Sequence, residues 1–578
     1  METDATMTFG QAAVLTLLAA MLVLFAVDRL RMELVALGGL AVGVALGVVP
    51  AAGAFAGLAD PAFVTVVEIL LVVTVLARSP LLDRLATRIA ARRPGLTGAT
   101  AMLCLMTGAL SVFMNNIGAL ALMLPVVYGV CRTCGFDPRA MLMPVSFAAL
   151  LGGMGSIIGT PANLIVSRQL EAATGAGFGF FDIGLVGIPA ALAGLVVVVL
   201  AVPRLLPGGD RSPEPQASDR RLVAEMRVPS GSILTGRSFA DVPVGVVSAS
   251  RGGGRLFLAR KDLRIEAGDL LLVDGGTAAL HGLAAQGALD WATRSETVQA
   301  VVLPESPIVG SRIGVVGAFA TGVSVVAVSP QARRIEGALA DIQLSIGDIV
   351  HLAGEKAAVA RALEQTDMLA LTARGPAAHD TSGSSWTLAV FLAGIFLSAV
   401  FGLAPPFAFG LVVLVLVATG TLNLRTAVPQ LNWPILLMLA AMIPLGSAVA
   451  TTGAAQVLAG ALLGAVPQGS AATLAAAMLV LAVAVTPFVN NASTALVLGP
   501  IAVAVAGSAG VDPRPLLLAV AIGASIDFLT PFGHHNNTLV MGLAGYRFRD
   551  FLKAGWPVTL VTVITALTLL LAMPWRTA

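Results

Sequence analysis

The segment FMNNIGALALMLP at 113–125 recurs 375 residues later as FVNNASTALVLGP at 488–500. At that one offset Phe113, Asn115, Asn116, Pro125, Gly135, Asp137, Pro138 and Arg139 fall on Phe488, Asn490, Asn491, Pro500, Gly510, Asp512, Pro513 and Arg514, eight of the nine identities in 27 positions. Apolar bias does not repeat asparagines, a proline or an Asp-Pro-Arg run, so the chain holds a duplicated unit. Beyond that run a one-residue gap aligns GTPANLIV (159–166) with GHHNNTLVM (533–541) and sets Asn163 on Asn537. Both copies place amides in apolar surroundings, where an unsatisfied one costs several kcal/mol.

Those surroundings read as membrane. The 578 residues are 57% hydrophobic and 11% charged, against roughly 25% charged in soluble domains. A net charge of +2 argues against a nucleic-acid partner. Stretches long enough for a bilayer lie near 10–28, 33–50, 62–78, 98–130, 141–168 and 182–206, then at 386–403, 406–422, 433–451, 470–507, 514–543 and 555–574. The first runs into Asp28-Arg29-Leu30-Arg31 without a small-residue cleavage site and reads as a retained helix. Cys131 and Cys134 have metal or redox spacing, but no second pair and no nearby histidine completes a site.

Between the apolar halves, residues 207–385 hold most of the charge and are themselves duplicated. MRVPSGSILTGRSF (226–239) matches VVLPESPIVGSRI (301–313), and LRIEAGDLLLVDG (263–275) matches IQLSIGDIVHLAG (342–354). Alternating β-branched runs, Gly-Asp turns and Ala-rich helices predict two small α/β modules, 207–292 and 293–385. They serve ligand sensing or a dimer contact, or they are a structural spacer.

Basic residues set the topology. Arg29, Arg31, the cluster at 78–93, Arg132, Arg425, Arg547, Arg549 and Lys553 belong on the cytoplasmic side, while 50–61 and 452–470 carry no Lys or Arg and read as outer loops. Both constraints hold if 98–130 and 470–507 enter and return as helical hairpins. Each half, 1–206 and 386–578, then has five crossings and one re-entrant hairpin. Five is odd, so the second half is inverted. The fold class is a polytopic α-helical membrane protein of two inverted repeats with two cytoplasmic α/β modules between them, the arrangement of secondary transporters with a site near the midplane.

Four polar clusters occupy matched places: 114–118, 155–163, 489–494 and 525–538. Glycine and proline break the helices there and free backbone groups. The Asn, Ser and Thr oxygens suit a hard cation such as Na⁺, while helix N-termini and hydroxyls suit an oxyanion. No phosphate loop, His-Glu-x-x-His or nucleophile constellation is present, so the reading is transport without chemistry and without a cofactor. Asn115 and Asn490 read equally as helix caps and as ligands. Asp527 takes a cation or proton role, or caps the break. Glu68 reads as an inter-helix or dimer contact, and the His534-His535 pair meets either anion or water.

NNIGALALMLP with GTPANLIV, and VNNASTALVLGP with FLTPFGHHNNTLVMGLAGYRFRDFLKAG, resemble the divalent anion:sodium symporters of the ion-transporter superfamily over about 400 residues. The insert resembles the paired C-terminal regulator domains of TrkA-type proteins, which point to the sulfate-permease branch. Family hairpin tips carry Ser-Asn-Thr. Here they read Asn115-Asn116-Ile117 and Asn490-Asn491-Ala492, with Ser493 and Thr494 following the second. The resemblance implies that Asn115, Asn116, Asn490, Asn491, Ser493, Thr494 and His534 meet the anion. It implies that Asn116, Gly159, Thr160 and Asn163 hold one Na⁺, and that Asn491, Thr530, Pro531, Asn536 and Asn537 hold another. It further implies an elevator-type, homodimeric symporter of the inner (plasma) membrane, with sulfate favoured over a dicarboxylate and an unknown regulatory ligand on the modules. A cation/proton antiporter using Asp527 or Glu68 is the rival within transport, and a channel or sensor is the rival outside it.

Overall fold

The computed structural model describes residues 7–27, 32–77, 91–92, 94–206, 221–252, 254–256, 263–291, 297–303, 306–319, 322–330, 337–371, 384–431, 433–465, 470–531 and 533–573. The basic cluster at 78–93, apart from Ala91 and Arg92, and Arg29 and Arg31 lie outside them, as do the module boundaries at 207, 292 and 293.

The first half runs α1 (Phe9–Val27), α2 (Met32–Ala45), α3 (Pro61–Ala77), α4 (Leu96–Ser111), α5 (Asn116–Cys134), α6 (Arg139–Gly152), α7 (Pro161–Thr174) and α8 (Gly184–Leu200). The helices at α4–α5 reverse over residues 112–115, within the stretch read as a hairpin. The stretch at 141–168 is broken into α6 and α7 around Gly153, Gly155 and Gly159.

The insert folds into β1 (Arg221–Arg227), β2 (Gly245–Arg251), β3 (Gly254–Leu256), β4 (Leu270–Gly276), α9 (Thr277–Ala285), β5 (Asp290–Trp291), β6 (Thr297–Val302), β7 (Val323–Ser329), β8 (Ile349–Gly354), α10 (Lys356–Gln365) and β9 (Met368–Ala370). Its two repeats do not close separately. β1 of the first pairs antiparallel with β7 of the second, Val223 opposite Val328 and Ala224 opposite Ala327, giving one nine-stranded sheet. Pairing the repeats removes two strand edges that would otherwise stay open.

The second half runs α11 (Ser384–Phe401), α12 (Pro405–Ala418), α13 (Trp433–Thr451), α14 (Ala454–Ala465), α15 (Ala471–Val485), α16 (Asn491–Ala509), α17 (Pro513–Ser525), α18 (His535–Ala544) and α19 (Phe548–Ala572). Residues 452–470, read as a loop, contain α14, bent 69° from the end of α13. Its Ala- and Leu-rich sequence is strongly helix-forming, but twelve residues are too few to span a bilayer and so register as a connection. Both hairpins end alike, at the repeated Gly135 and Gly510 in left-handed conformation with φ of 71° and 64°.

Among the described residues, four helical stretches are long and apolar enough to cross a membrane by length and composition: Ala51–Val73, Asn116–Cys134, Asn491–Ala509 and Phe548–Ala572. The halves share a core: Phe147 of α6 packs on Phe528 and Phe551, with ring centroids 5.2 and 6.4 Å away. Burying such a ring stabilises by about 1.5–3 kcal/mol in water and is supplemented by ring–ring contact. Val301 of β6 joins this same core, with Leu303, Leu369 and Leu371 against it, so the sheet is docked on the helices. Residues of α3, α11 and α12 form a separate apolar cluster that meets the breaks through Ile157, Ile158, Leu164 and Phe180.

Candidate functional site

Each hairpin tip begins its second arm with an asparagine cap. Asn115 Oδ1 accepts from the Gly118 amide at 2.7 Å, and Asn490 Oδ1 from the Ser493 amide at 2.8 Å. These caps satisfy amides that helix starts leave unpaired. The next residue in each pair is turned inward and buried.

Asn116 joins the two halves. Its side-chain amide spans Ser111 Oγ at 2.8 Å and His534 Nε2 at 3.3 Å, and its carbonyl accepts from Asn536 Nδ2 at 3.1 Å. His534 Nδ1 accepts from the Asn536 amide at 3.2 Å. Ser111 Oγ donates to Asn116 Oδ1, while Asn116 Nδ2 faces His534 Nε2. Among the described residues Asn491 has no matching tie: its Oδ1 accepts from the adjacent Ala492 amide at 2.8 Å.

The broken helices are held by a second asparagine pair. Asn163 Nδ2 donates to the carbonyls of Gly153 and Ser156 at 3.0 and 2.7 Å, while Thr160 Oγ1 caps α7 by accepting from the Asn163 amide at 3.3 Å. Asn537 Nδ2 donates likewise to Asp527 and Thr530 carbonyls at 2.9 and 3.1 Å. The difference lies in their oxygens. Asn537 Oδ1 accepts from Ser146 Oγ at 2.9 Å, whereas Asn163 Oδ1 is buried and has no hydrogen-bond partner among the described residues.

Other buried acceptors are also unpaired there: Ser493 Oγ, Asn536 Oδ1 and both Asp527 carboxylate oxygens. Buried polar atoms without partners are uncommon and call for a ligand or a function. Five such atoms lie at the tips and breaks, while Glu68 Oε2, Gln169 Oε1 and Thr559 Oγ1 lie elsewhere. Glycine makes room: a Cβ on Gly153 would stand 2.4 Å from Asn116 Oδ1, and one on Gly159 2.4 Å from the Gly153 carbonyl. Such an oxygen-rich, neutral lining suits a hard cation and a desolvated anion.

The structure thus brings Asn116, Gly153, Gly159, Thr160 and Asn163 together on one side, with His534 and Asn536 reaching across to Asn116. Thr530 donates to the Pro487 carbonyl at 3.3 Å and accepts from the Gly533 amide at 3.3 Å, tying the second break to its hairpin. Thr494 Oγ1 lies 3.4 Å from Thr486 Oγ1 and the Val489 carbonyl, inside the hairpin. Glu68 is elsewhere, on α3 facing Gly410 of α12. Sequence reading missed Ser111 and Thr486, although the offset of 375 that pairs the asparagines also pairs these hydroxyls. It also missed Ser146, which no local pattern links to Asn537.

The family model described as "Citrate transporter" matches residues 22–523 and 468–577. The chain is 26% identical over 96% of its length, and 98% of the relative's, to the uncharacterized transporter YfbS of Escherichia coli. It is 30% identical over 90% of its length, and 94% of the relative's, to a putative sulfur deprivation response regulator of Chlamydomonas reinhardtii. Sodium/sulfate cotransporter 1 of that alga is 28% identical over 42% of this chain and 32% of its own.

Proposed function

The chain belongs to the citrate transporter family, and on that premise we propose that it is a secondary active symporter driving a small divalent oxyanion, sulfate first, with Na⁺. The family makes it a membrane transporter and not an enzyme. The anion and the coupling ion are our reading. One observation carries it: the unpaired buried oxygens of Asn163, Ser493, Asn536 and Asp527 gather where two hairpin tips meet two broken helices.

On this reading Asn116, Gly159, Thr160 and Asn163 hold one Na⁺, and Asn491, Thr530, Pro531, Asn536 and Asn537 take part in a second site. Asn115, Asn116, Asn490, Asn491, Ser493, Thr494 and His534 face the anion, with the amide N–H groups at the starts of α5 and α16 stabilising its charge. Repeats of odd crossing number are inverted, so the cycle exposes the same site to each side in turn. We assign the separate cluster of α3, α11 and α12 to a scaffold, against which hairpins and breaks move as an elevator in a homodimer of the inner membrane. The docked sheet then faces the cytoplasm and takes a regulatory ligand.

Uptake of labelled sulfate into proteoliposomes tests this. It should require an inward Na⁺ gradient and be competed by unlabelled sulfate more strongly than by dicarboxylates. Uptake indifferent to Na⁺ but abolished by collapsing the pH gradient would overturn Na⁺ coupling. The rival within transport, cation/proton antiport, draws on the unpaired Asp527 carboxylate. It predicts proton movement driven by a cation gradient with no anion present.

A further inference from the structure

The last long helix of each half presses a glycine onto that half's break. VGIPA of α8 (186–190) and AGWPV of α19 (554–558) stand 368 residues apart and share Gly-x-Pro. A Cβ on Gly187 would stand 2.0 Å from the Met154 carbonyl oxygen, and one on Gly555 2.0 Å from that of Phe528. Met154 and Phe528 are themselves matched, in the register that sets Asn163 on Asn537. Both contacts run backbone to backbone, as close as a Cα–H···O=C approach, and any side chain would displace the carbonyl.

The two helices also meet each other at matched residues. A Cβ on Gly194 would stand 2.7 Å from Thr562 Oγ1, and the offset of 368 that joins Gly187 to Gly555 also joins Gly194 to Thr562. One position of the repeat therefore touches its own copy. Each glycine lies seven residues before that crossing, 187 to 194 and 555 to 562, which is two helical turns or roughly 10 Å. The pair is a common support carrying one break on each helix.

The neighbouring groups of each break are held from other directions. Asn163 takes the carbonyls of Gly153 and Ser156, and Asn537 takes those of Asp527 and Thr530. The Ser156 and Thr530 hydroxyls donate to the carbonyls of Val112 and Pro487 in their hairpins. Met154 and Phe528 lie between the asparagine-held carbonyls and are met by the glycines instead. We propose that Gly187 and Gly555 are positioning residues for the two broken-helix sites, setting each break from outside while its asparagine sets it from within. The inference rests on the transport reading of those breaks. A methyl at either glycine needs about 1 Å of retreat to reach van der Waals distance, and a binding constellation tolerates only about 0.5 Å. The adjoining Ile188 and Trp556 turn outward, 39% and 54% exposed, and are matched controls.

Hydrogen–deuterium exchange on the purified full-length protein tests this. Gly187→Ala should speed exchange across 153–159 and leave 527–531 as in wild type; Gly555→Ala should do the converse. Both should raise half-saturating Na⁺ by about fivefold or more, in uptake and in thermal melts titrated with NaCl against choline chloride, while uptake at saturating Na⁺ stays within about twofold. Ile188→Ala and Trp556→Ala should change neither readout. A glycine variant that melts lower while both breaks exchange as in wild type has lost packing only, and this overturns the proposal. So does an equal rise at both breaks from either single alanine. If an alanine variant does not fold, Thr562→Leu replaces it, wedging the crossing from a side chain: exchange should rise at both breaks together, and no rise would sink the shared support. Break-specific exchange changes in a protein whose uptake ignores Na⁺ would sink the symport reading and leave the positioning role supported.

Discussion

The two halves carry the same hairpin and the same broken helix, yet they are wired differently. Asn163 and Asn537 do one job twice, each pinning two carbonyls of its break through Nδ2. The side chains around them have diverged. Asn116 of the first tip is tied across to His534 and Asn536. The reciprocal tie from Asn491 has no partner to meet, because the residues matching His534 and Asn536 are Thr160 and Ala162. Duplication has preserved the device that holds each helix open, and divergence has acted on the groups proposed to face cargo. A substrate and two cations need not be bound alike by halves that share an architecture.

Removing the shared device should have the largest effect. Asn163→Ala strands the Gly153 and Ser156 carbonyls. Asn537→Ala strands those of Asp527 and Thr530 together with the Ser146 hydroxyl. Each buried group left unpaired costs about 1–3 kcal/mol, so both variants should melt well below wild type and lose uptake. Aspartate at either place keeps the size but cannot donate, and should fail equally. Tolerance of Asn163→Asp alone would break the claim that the two pins are equivalent.

The tips should respond unequally. Asn116→Ala removes the bond to His534, and its fall in uptake should come with a lowered melting temperature. Asn491→Ala should impair uptake with less loss of stability, since that side chain bonds only the neighbouring amide among the contacts described. The caps lie lower on the scale. Asn115→Ala and Asn490→Ala should each cost about 1 kcal/mol, while serine, a comparable N-cap, should restore it. Thermal melts run beside uptake assays separate these outcomes, and equal destabilisation by the two alanines at 116 and 491 would contradict the asymmetry.

How much of this was legible in the sequence follows from the range of the interactions. Both hairpins were readable because Asn-Asn, the internal proline, the closing glycine and Asp-Pro-Arg are local signals that appear twice. The breaks were readable from glycine and proline within apolar runs. The ties of Asn116 to His534 and of Ser146 to Asn537 join residues 418 and 391 positions apart, and no periodicity encodes such pairings. The merging of the insert into one sheet was hidden for the same reason: strand pattern gives β1 and β7 but not their partnership. Helix α14 was hidden by its length. The capping role of Asn115 and Asn490 was readable only as one of two equal alternatives, since a cap and a ligand call for the same side chain.

The smallest expected effect lies at the edge of the comparison. Arg168 of α7 reaches Asp60, just before α3, with Nε 2.9 Å and a terminal nitrogen 2.8 Å from Oδ2, and it also meets Glu171 at 2.6 Å. This joins a broken helix to the start of α3, which we assign to the scaffold. The matched positions in the second half are Ile435 and Gly542, so no equivalent pair is possible there. In the proposed cycle the halves exchange roles between the end states, and a bond that one half alone can make favours one of those states. Partly exposed pairs contribute about 0–1 kcal/mol, which biases such an equilibrium by about fivefold or less. Arg168→Gln should therefore change the uptake rate by a few-fold and leave the number of Na⁺ ions transported per anion unchanged, with the Na⁺ response measured by melting intact. A changed coupling ratio would place Arg168 within the ion path and dissolve the distinction between the part that moves and the part that stands.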